Sequence, residues 1–157
     1  MRFYLIDKIT LLEPQKEVKA IKCWSLDNEI FQDHFPGYPT VPGVLLTESM
    51  AQMLGVLIEK SYYAEYSNNS KVYPVLSIIQ KAKFRKFVRP GDQCILEGKV
   101  VSVDRNRGTG TAKTFVNNEL VCEATLSFLI GTESDMGDNQ FIKKLDQYYQ
   151  VILADIK

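Results

Sequence analysis

The sequence predicts an α+β protein in which a curled antiparallel sheet wraps a long central helix, and three observations predict it. From Gly43 onward the run VLLTESMAQMLGVLIEKSYY contains no proline and is dominated by Leu, Met, Ala and Glu. It forms a helix of about five turns with apolar residues nearly all round it, so the rest of the fold must enclose it. Four strand-like runs follow, at 72–88, 92–104, 110–117 and 120–130. They are joined through short turns, which reads as an antiparallel meander. An open sheet would leave half of the helix wet. A curled sheet covers more, and a second subunit could cover the rest.

The elements follow in order. Residues 3–12 (FYLIDKITLL) are apolar and β-rich, Glu13-Pro14-Gln15 is a turn, and residues 16–26 alternate in part with Val18 and Ala20 inward. Residues 27–42 hold three prolines and a glycine and form a long loop, a feature more often functional than accidental in a small domain. Pro42-Gly43 opens the helix. Residues 64–71 are a polar loop. Arg89-Pro90-Gly91-Asp92 separates the first two runs, Arg105-Asn106-Arg107-Gly108 is a turn with Gly108 available for positive φ, and Asn117-Asn118 marks a tight hairpin. After the polar stretch 131–140, Asp138 is placed to cap a last helix, 139–154, whose Phe141, Leu145, Tyr148 and Ile152 form one apolar stripe for the sheet or a neighbouring subunit.

Composition narrows the class. The 157 residues make one domain, with 45% apolar and 24% charged residues. Lys+Arg and Asp+Glu are equal at 19 each, so charge gives no argument for a nucleic-acid partner. Cys23, Cys94 and Cys122 are odd in number and far apart, which fits a reducing cytosol better than a disulfide framework or a zinc site. MRFYLIDKIT has no signal-peptide core, and the most apolar stretch, Val41 to Ile58, is too short and too polar for a membrane span. A cytoplasmic protein without membrane insertion is the expectation.

Three features carry chemistry. His34 is the only histidine and sits in the Pro/Gly-rich loop; imidazole suits proton transfer near neutral pH. Taken alone it also fits a hydrogen-bonded loop histidine with no task. Glu48 lies in the second turn of the apolar helix, where desolvation disfavours its charged form and suits it to act as an acid. Gln52, one turn on, is placed to hold that carboxyl, and Gly55 leaves space beside it. A Glu at an exposed helix edge is the plainer alternative. Gly43, after Pro42, lets another molecule approach the helix N-terminus, whose free N–H groups can stabilise an oxyanion. A base, an acid and an oxyanion donor together suit removal of a proton next to a carbonyl with loss of a β-hydroxyl.

The run from His34 to Gln52 resembles the signature of bacterial 3-hydroxyacyl-acyl-carrier-protein dehydratases, H-F-P-G-x-P-x-x-P-G-V-L-x-x-E-x-M-A-Q. Lys83-Phe84-Arg85 with Arg89-Pro90-Gly91-Asp92, and Val121-Cys122-Glu123-Ala124, are similar to the family as well. The resemblance covers roughly residues 3 to 130, and Glu48 matches the glutamate-type branch. It implies a hot-dog fold over 1–131, with 132–157 as an added C-terminal helical extension. It implies a dimer, with further assembly to a trimer of dimers open, in which His34 of one subunit faces Glu48 of the other. It also implies catalysis by His34 and Glu48, an oxyanion contact from Gly43, support from Gln52, Phe35 and Pro42, and no metal or organic cofactor. Two departures stand out. Asp33 precedes the histidine where glycine is common, and Val75 stands near the place of a gating tyrosine, with Tyr73 two positions earlier.

Lys81, Lys83 and Arg85 alternate along one strand face, and Lys86 and Arg89 add charge nearby. An acidic acyl carrier protein could dock there; a solvated basic edge that resists aggregation explains the same residues. A hot-dog thioesterase, a non-catalytic acyl-binding subunit and a hydratase acting on CoA thioesters remain the alternative readings.

Overall fold

The structure, a computed structural model, describes residues 3–66, 70–137 and 139–156. Its axis is helix α2 (Gly43–Glu65), preceded by the short helix α1 (Ile30–Asp33). Pro42 sits just outside α2 as its cap residue, and its carbonyl accepts the Leu45 N–H at 2.9 Å. Leu46, Met50, Met53, Leu54, Leu57 and Ile58 are all buried. These six lie on one side of the axis, and Leu45, Ala51, Val56 and Tyr62, also buried, extend the apolar surface around its flanks.

Among the described residues, β1 (Lys8–Glu13), β2 (Glu17–Cys23), β3 (Val72–Phe84), β4 (Gln93–Val103), β5 (Arg107–Val116) and β6 (Glu119–Thr132) form one antiparallel sheet. Its spatial order is β1-β2-β4-β5-β6-β3, and α2 packs against all six strands. Register shifts at Leu76/Ile78, Ile79/Lys81 and Val100/Ser102 let the sheet bend around the helix. The arrangement is the hot-dog fold.

The meander holds for β4, β5 and β6 but not for β3. Strand β4 is already bonded to β2 on one side and β5 on the other, so no edge is left for β3. It pairs instead with β6, from Val72↔Thr132 to Phe84↔Cys122. Residues 85–92 carry the chain across, leaving β6 at Arg85 N–H to Val121 O and reaching β2's end at Gly91 N–H to Trp24 O.

Two turn glycine and asparagine expectations part company. Asn117 and Asn118 both adopt positive φ, 49° and 66°, as the tight hairpin needs. Gly108 does not: it lies inside β5 against Ile58, where a side chain has no room. The turn is made by Asp104, whose carboxylate accepts the N–H groups of Asn106 and Arg107 at 2.8 and 2.9 Å. Gly110 has the same task as Gly108, since a Cβ there would stand 2.8 Å from Leu54.

The first strand begins at Lys8 rather than at residue 3; residues 3–6 run beside α2 without a strand partner. After β6, a capping box at Thr132 starts α3 (Glu133–Met136), Gly137 turns the chain at φ 64°, and α4 (Asn139–Ile152) follows. The expected cap Asp138 and the side chain of Phe141 lie outside the described residues. Tyr148 and Ile152 of the stripe are buried. The stripe packs within its own chain, on residues 4–8 and on α2: Tyr4 stacks on Tyr148 at 4.4 Å, and Lys8 pairs with Asp155.

Cys23 is exposed, whereas Cys94 and Cys122 are buried; all three are free thiols. Burial pushes Cys94 up to about 12 and Cys122 up to about 11. No helix among the described residues is long and apolar enough to cross a membrane.

Candidate active site

Helix α2 carries Glu48, Gln52, Gly55 and Glu59 along one side, at spacings of four, three and four, so they share a face. That face opens on a cavity of about 440 Å³, whose lining includes Glu48, Gln52, Gly55, Val75, Phe128 and Tyr148 and is mostly apolar. A Cβ at Gly55 would meet nothing within 4 Å, so this glycine widens the cavity as its place in the pattern predicts. Glu48 is half-buried, and the Gln52 side chain donates to its Oε1 at 3.0 Å.

Gln52 is itself held on all sides. Its Nε2 also donates to Phe3 O at 3.1 Å, and its Oε1 accepts from Leu5 N–H at 3.0 Å. The Tyr148 hydroxyl lies 3.3 Å from that oxygen. The same hydroxyl accepts the Ile6 N–H at 2.8 Å and donates to Ile6 O at 2.9 Å. Burial pushes this phenol well above the ordinary tyrosine range, so it stays a donor.

His34 follows α1 in the loop. Its N–H donates to Ile30 O at 3.2 Å, and its carbonyl accepts the Thr40 N–H at 2.9 Å. Its ring Nδ1 lies 2.8 Å from Thr40 O. A carbonyl only accepts, so Nδ1 carries the proton and Nε2 of the neutral ring is left with a free lone pair. Phe35 stacks on the imidazole at 4.1 Å and is itself exposed, as is Asp33. Within one chain His34 does not line the cavity that holds Glu48.

At the start of α2, Gly43 is the first helical residue, so its N–H has no acceptor within the helix. The ring of Phe84 lies over it. Thus Pro42, Gly43, Glu48 and Gln52 belong to the first three turns of one helix and its cap, and His34 with Phe35 stands on a separate, well-bonded loop.

The basic residues are exposed, but they are not equally free. Arg85 pairs with Glu123 at 2.7 Å and Lys86 with Glu119 at 2.6 Å. The Arg85 guanidinium holds the Glu123 carboxyl below its ordinary range. Arg89 lies over the Tyr38 ring at 4.3 Å. Lys81 and Lys83 contribute charge beside the Arg85–Glu123 pair.

Two parts of this site escaped the sequence reading. Thr40 orients the imidazole through its carbonyl, and backbone contacts leave no trace in composition. Tyr148 was visible only as one member of an apolar stripe; its hydroxyl was the available signal, because a buried tyrosine needs a polar partner. A second cavity of about 530 Å³ lies farther along α2, lined by Glu59, Lys60, Lys71, Asp146 and Tyr149 among others. Among the described residues no three His, Cys, Asp or Glu side chains cluster as metal ligands.

Known proteins resemble this chain in sequence and in fold. Residues 1–125 match the family model described as FabA-like domain. The chain is 37% identical over 129 residues to the 3-hydroxyacyl-[acyl-carrier-protein] dehydratase FabZ of Fusobacterium nucleatum subsp. nucleatum, covering 82% of this chain and 86% of the relative. It is 40% identical over 128 residues to the FabZ of Symbiobacterium thermophilum, covering 82% and 87%. Among solved structures, the dehydratase heterocomplex ApeI:P from Xenorhabdus doucetiae superposes with a TM-score of 0.67 at 15% identity, covering 89% of this chain and 90% of that one. A Streptococcus mutans protein bound to acetyl CoA gives 0.62 at 13% identity, covering 80% and 88%. At those identities the structural matches speak for the fold alone, but the family model and the sequence relatives go further: the chain belongs to the FabA-like domain family.

Proposed function

We propose that this chain dehydrates 3-hydroxyacyl thioesters carried on acyl carrier protein to trans-2-enoyl thioesters, in fatty-acid or related lipid or polyketide biosynthesis. The observation that carries this reading is Glu48, a carboxyl group held by Gln52 in a mostly apolar cavity. Its FabZ relatives are named for the same reaction.

The elimination follows from the groups available. His34 Nε2 takes the α-proton, and the electron pair moves onto the thioester oxygen, which the Gly43 N–H stabilises. The pair returns to form the α,β double bond as the β-carbon–oxygen bond breaks. Glu48 gives its proton to the departing hydroxyl, which leaves as water. Proton return from His34 to Glu48 resets the pair, and the scheme needs no metal or organic cofactor. Phe35 and Pro42 hold the imidazole and the helix start in place.

The working unit in this reading is a homodimer, with a trimer of dimers as a further assembly, acting in the cytoplasm. Strand β3 is an edge strand, and Val75, Ile78 and Ile79 are exposed on it. Phe35, Tyr38, Phe84 and Phe87 are exposed as well. A second copy that covers these residues also brings its own His34 toward the Glu48 cavity, which lacks one from its own chain. The exposed lysines of β3 serve the acidic carrier protein.

The test is to mix purified protein with a crotonyl thioester and follow loss of the conjugated absorbance. Wild type should hydrate it, while His34→Ala and Glu48→Gln should each slow the reaction by about 10²- to 10⁴-fold. Release of free thiol with the double bond retained would instead establish a thioesterase.

A further inference from the structure

We propose that Tyr148 is a positioning residue for proton delivery by Glu48, acting through Gln52; the proposal rests on the acid role given to Glu48 above. Tyr148 belongs to α4, beyond residue 125 where the family match ends. The extension thereby becomes part of the active site.

The Gln52 amide links Tyr148 to Glu48. Phe3 O can only accept, and it lies 3.1 Å from Nε2. Leu5 N–H can only donate, and it lies 3.0 Å from Oε1. Together they allow one orientation of the amide, with an N–H directed to Glu48 Oε1 at 3.0 Å. That N–H cannot accept a proton, so Oε1 must be an acceptor. When the carboxyl is protonated, its proton therefore sits on Oε2. A flipped Gln52 would present its own oxygen to Glu48, draw the proton to Oε1 and remove it from use.

What keeps the orientation is the position of residues 3–6, which form no strand and rest on α2. Tyr148 grips this segment at Ile6 through both backbone groups, accepting at 2.8 Å and donating at 2.9 Å, with its ring stacked on Tyr4. Its hydroxyl also lies 3.3 Å from Gln52 Oε1, on the side where an oxygen and not an NH₂ group belongs. Its single proton is shared between Ile6 O and Oε1 and so favours the correct amide rotamer; a flipped one would set its NH₂ group against that proton.

The experiment measures kcat and KM for crotonyl-thioester hydration in wild type, Tyr148→Phe, Gln52→Leu, the double variant, Glu48→Gln and Ile152→Val. Ile152 is buried on the same helix and outside the cavity lining, so Ile152→Val loosens α4 without touching the hydroxyl. Tyr148→Phe and Gln52→Leu should each lower kcat by about tenfold with little change in KM, and the double variant should be no slower than Gln52→Leu. Ile152→Val should keep the wild-type kcat. Wild-type kcat in Tyr148→Phe, losses that multiply in the double variant, or an equal loss in Ile152→Val would each overturn the proposal. If Tyr148→Phe does not fold, Gln52→Leu decides: it leaves the Tyr148–Ile6 bonds intact, so reduced kcat at unchanged KM supports the proposal and wild-type kcat overturns it. An inactive Glu48→Gln beside a fully active Tyr148→Phe removes this inference alone; an active Glu48→Gln removes the acid role with it.

Discussion

The ring of Phe84 covers Gly43 so closely that a Cβ at position 43 would stand 2.9 Å from its Cε1. Gly43 therefore leaves room for one flat group over the helix N-terminus. The added Cβ meets only the outer part of this side chain, so a small shift of the ring relieves the contact, and alanine favours a helix more than glycine does. Gly43→Ala should thus leave the melting temperature near wild type. A thioester oxygen approaching the Gly43 N–H meets the new methyl, so kcat/KM should fall by about tenfold or more. Steady-state kinetics beside a melting curve checks both halves. Unchanged kcat/KM would mean that the oxyanion is held elsewhere.

Mixing two dead variants tests whether the site is shared. His34→Ala and Glu48→Gln chains, unfolded together and refolded in equal amounts, should recover about a quarter of wild-type activity, because half of the dimers are mixed and each mixed dimer keeps one intact site. A site made within one chain would give no recovery.

The residues that lie close in sequence were the legible ones. His34, Gly43, Glu48 and Gln52 fall in one short run, and helical spacing alone puts Glu48 under Gln52, where the 3.0 Å hydrogen bond is found. The central helix was legible because its long proline-free apolar run is broken only by the narrow Glu48–Gln52–Glu59 face. Strand partners were not: the alternation within β3 is the same whether β4 or β6 lies beside it, and only the saturation of β4 by β2 and β5 decides. Gly108 was misread for a related reason. A glycine next to a turn and a glycine under a helix look alike until Ile58 is placed against it. Tyr148 stayed hidden because its polar partners, Ile6 and Gln52, are distant in sequence and two of its contacts are to backbone.

The ion pairs divide the basic patch into groups with different expected effects. Arg85 and Lys86 already face Glu123 and Glu119. Lys81 and Lys83 are exposed and leave that neighbourhood net positive. Lys81→Glu with Lys83→Glu should raise KM for a carrier-borne substrate, and more so at low salt, while turnover of a minimal thioester stays the same. Lys86→Glu should have the smaller effect on carrier binding. Equal losses with both substrates would place these lysines outside docking altogether.

Glu59 gives a prediction for stability. Burial holds its carboxyl above the ordinary glutamate range, against Lys60 and Tyr149, which favour the charged form. The folded chain therefore binds this proton more tightly than the unfolded chain. Its contribution to stability is complete below the unfolded value and is lost as pH rises through the higher folded value. Glu59→Gln keeps the shape, does not titrate, and escapes that loss. The melting temperature of the variant, relative to wild type, should rise as pH passes upward through the weakly acidic range. The Lys60 partner, 3.1 Å from the carboxylate, limits the gain once Glu59 is charged. A melting-temperature difference that is flat across that range would mean that Glu59 keeps its proton no longer in the folded chain than in the unfolded one.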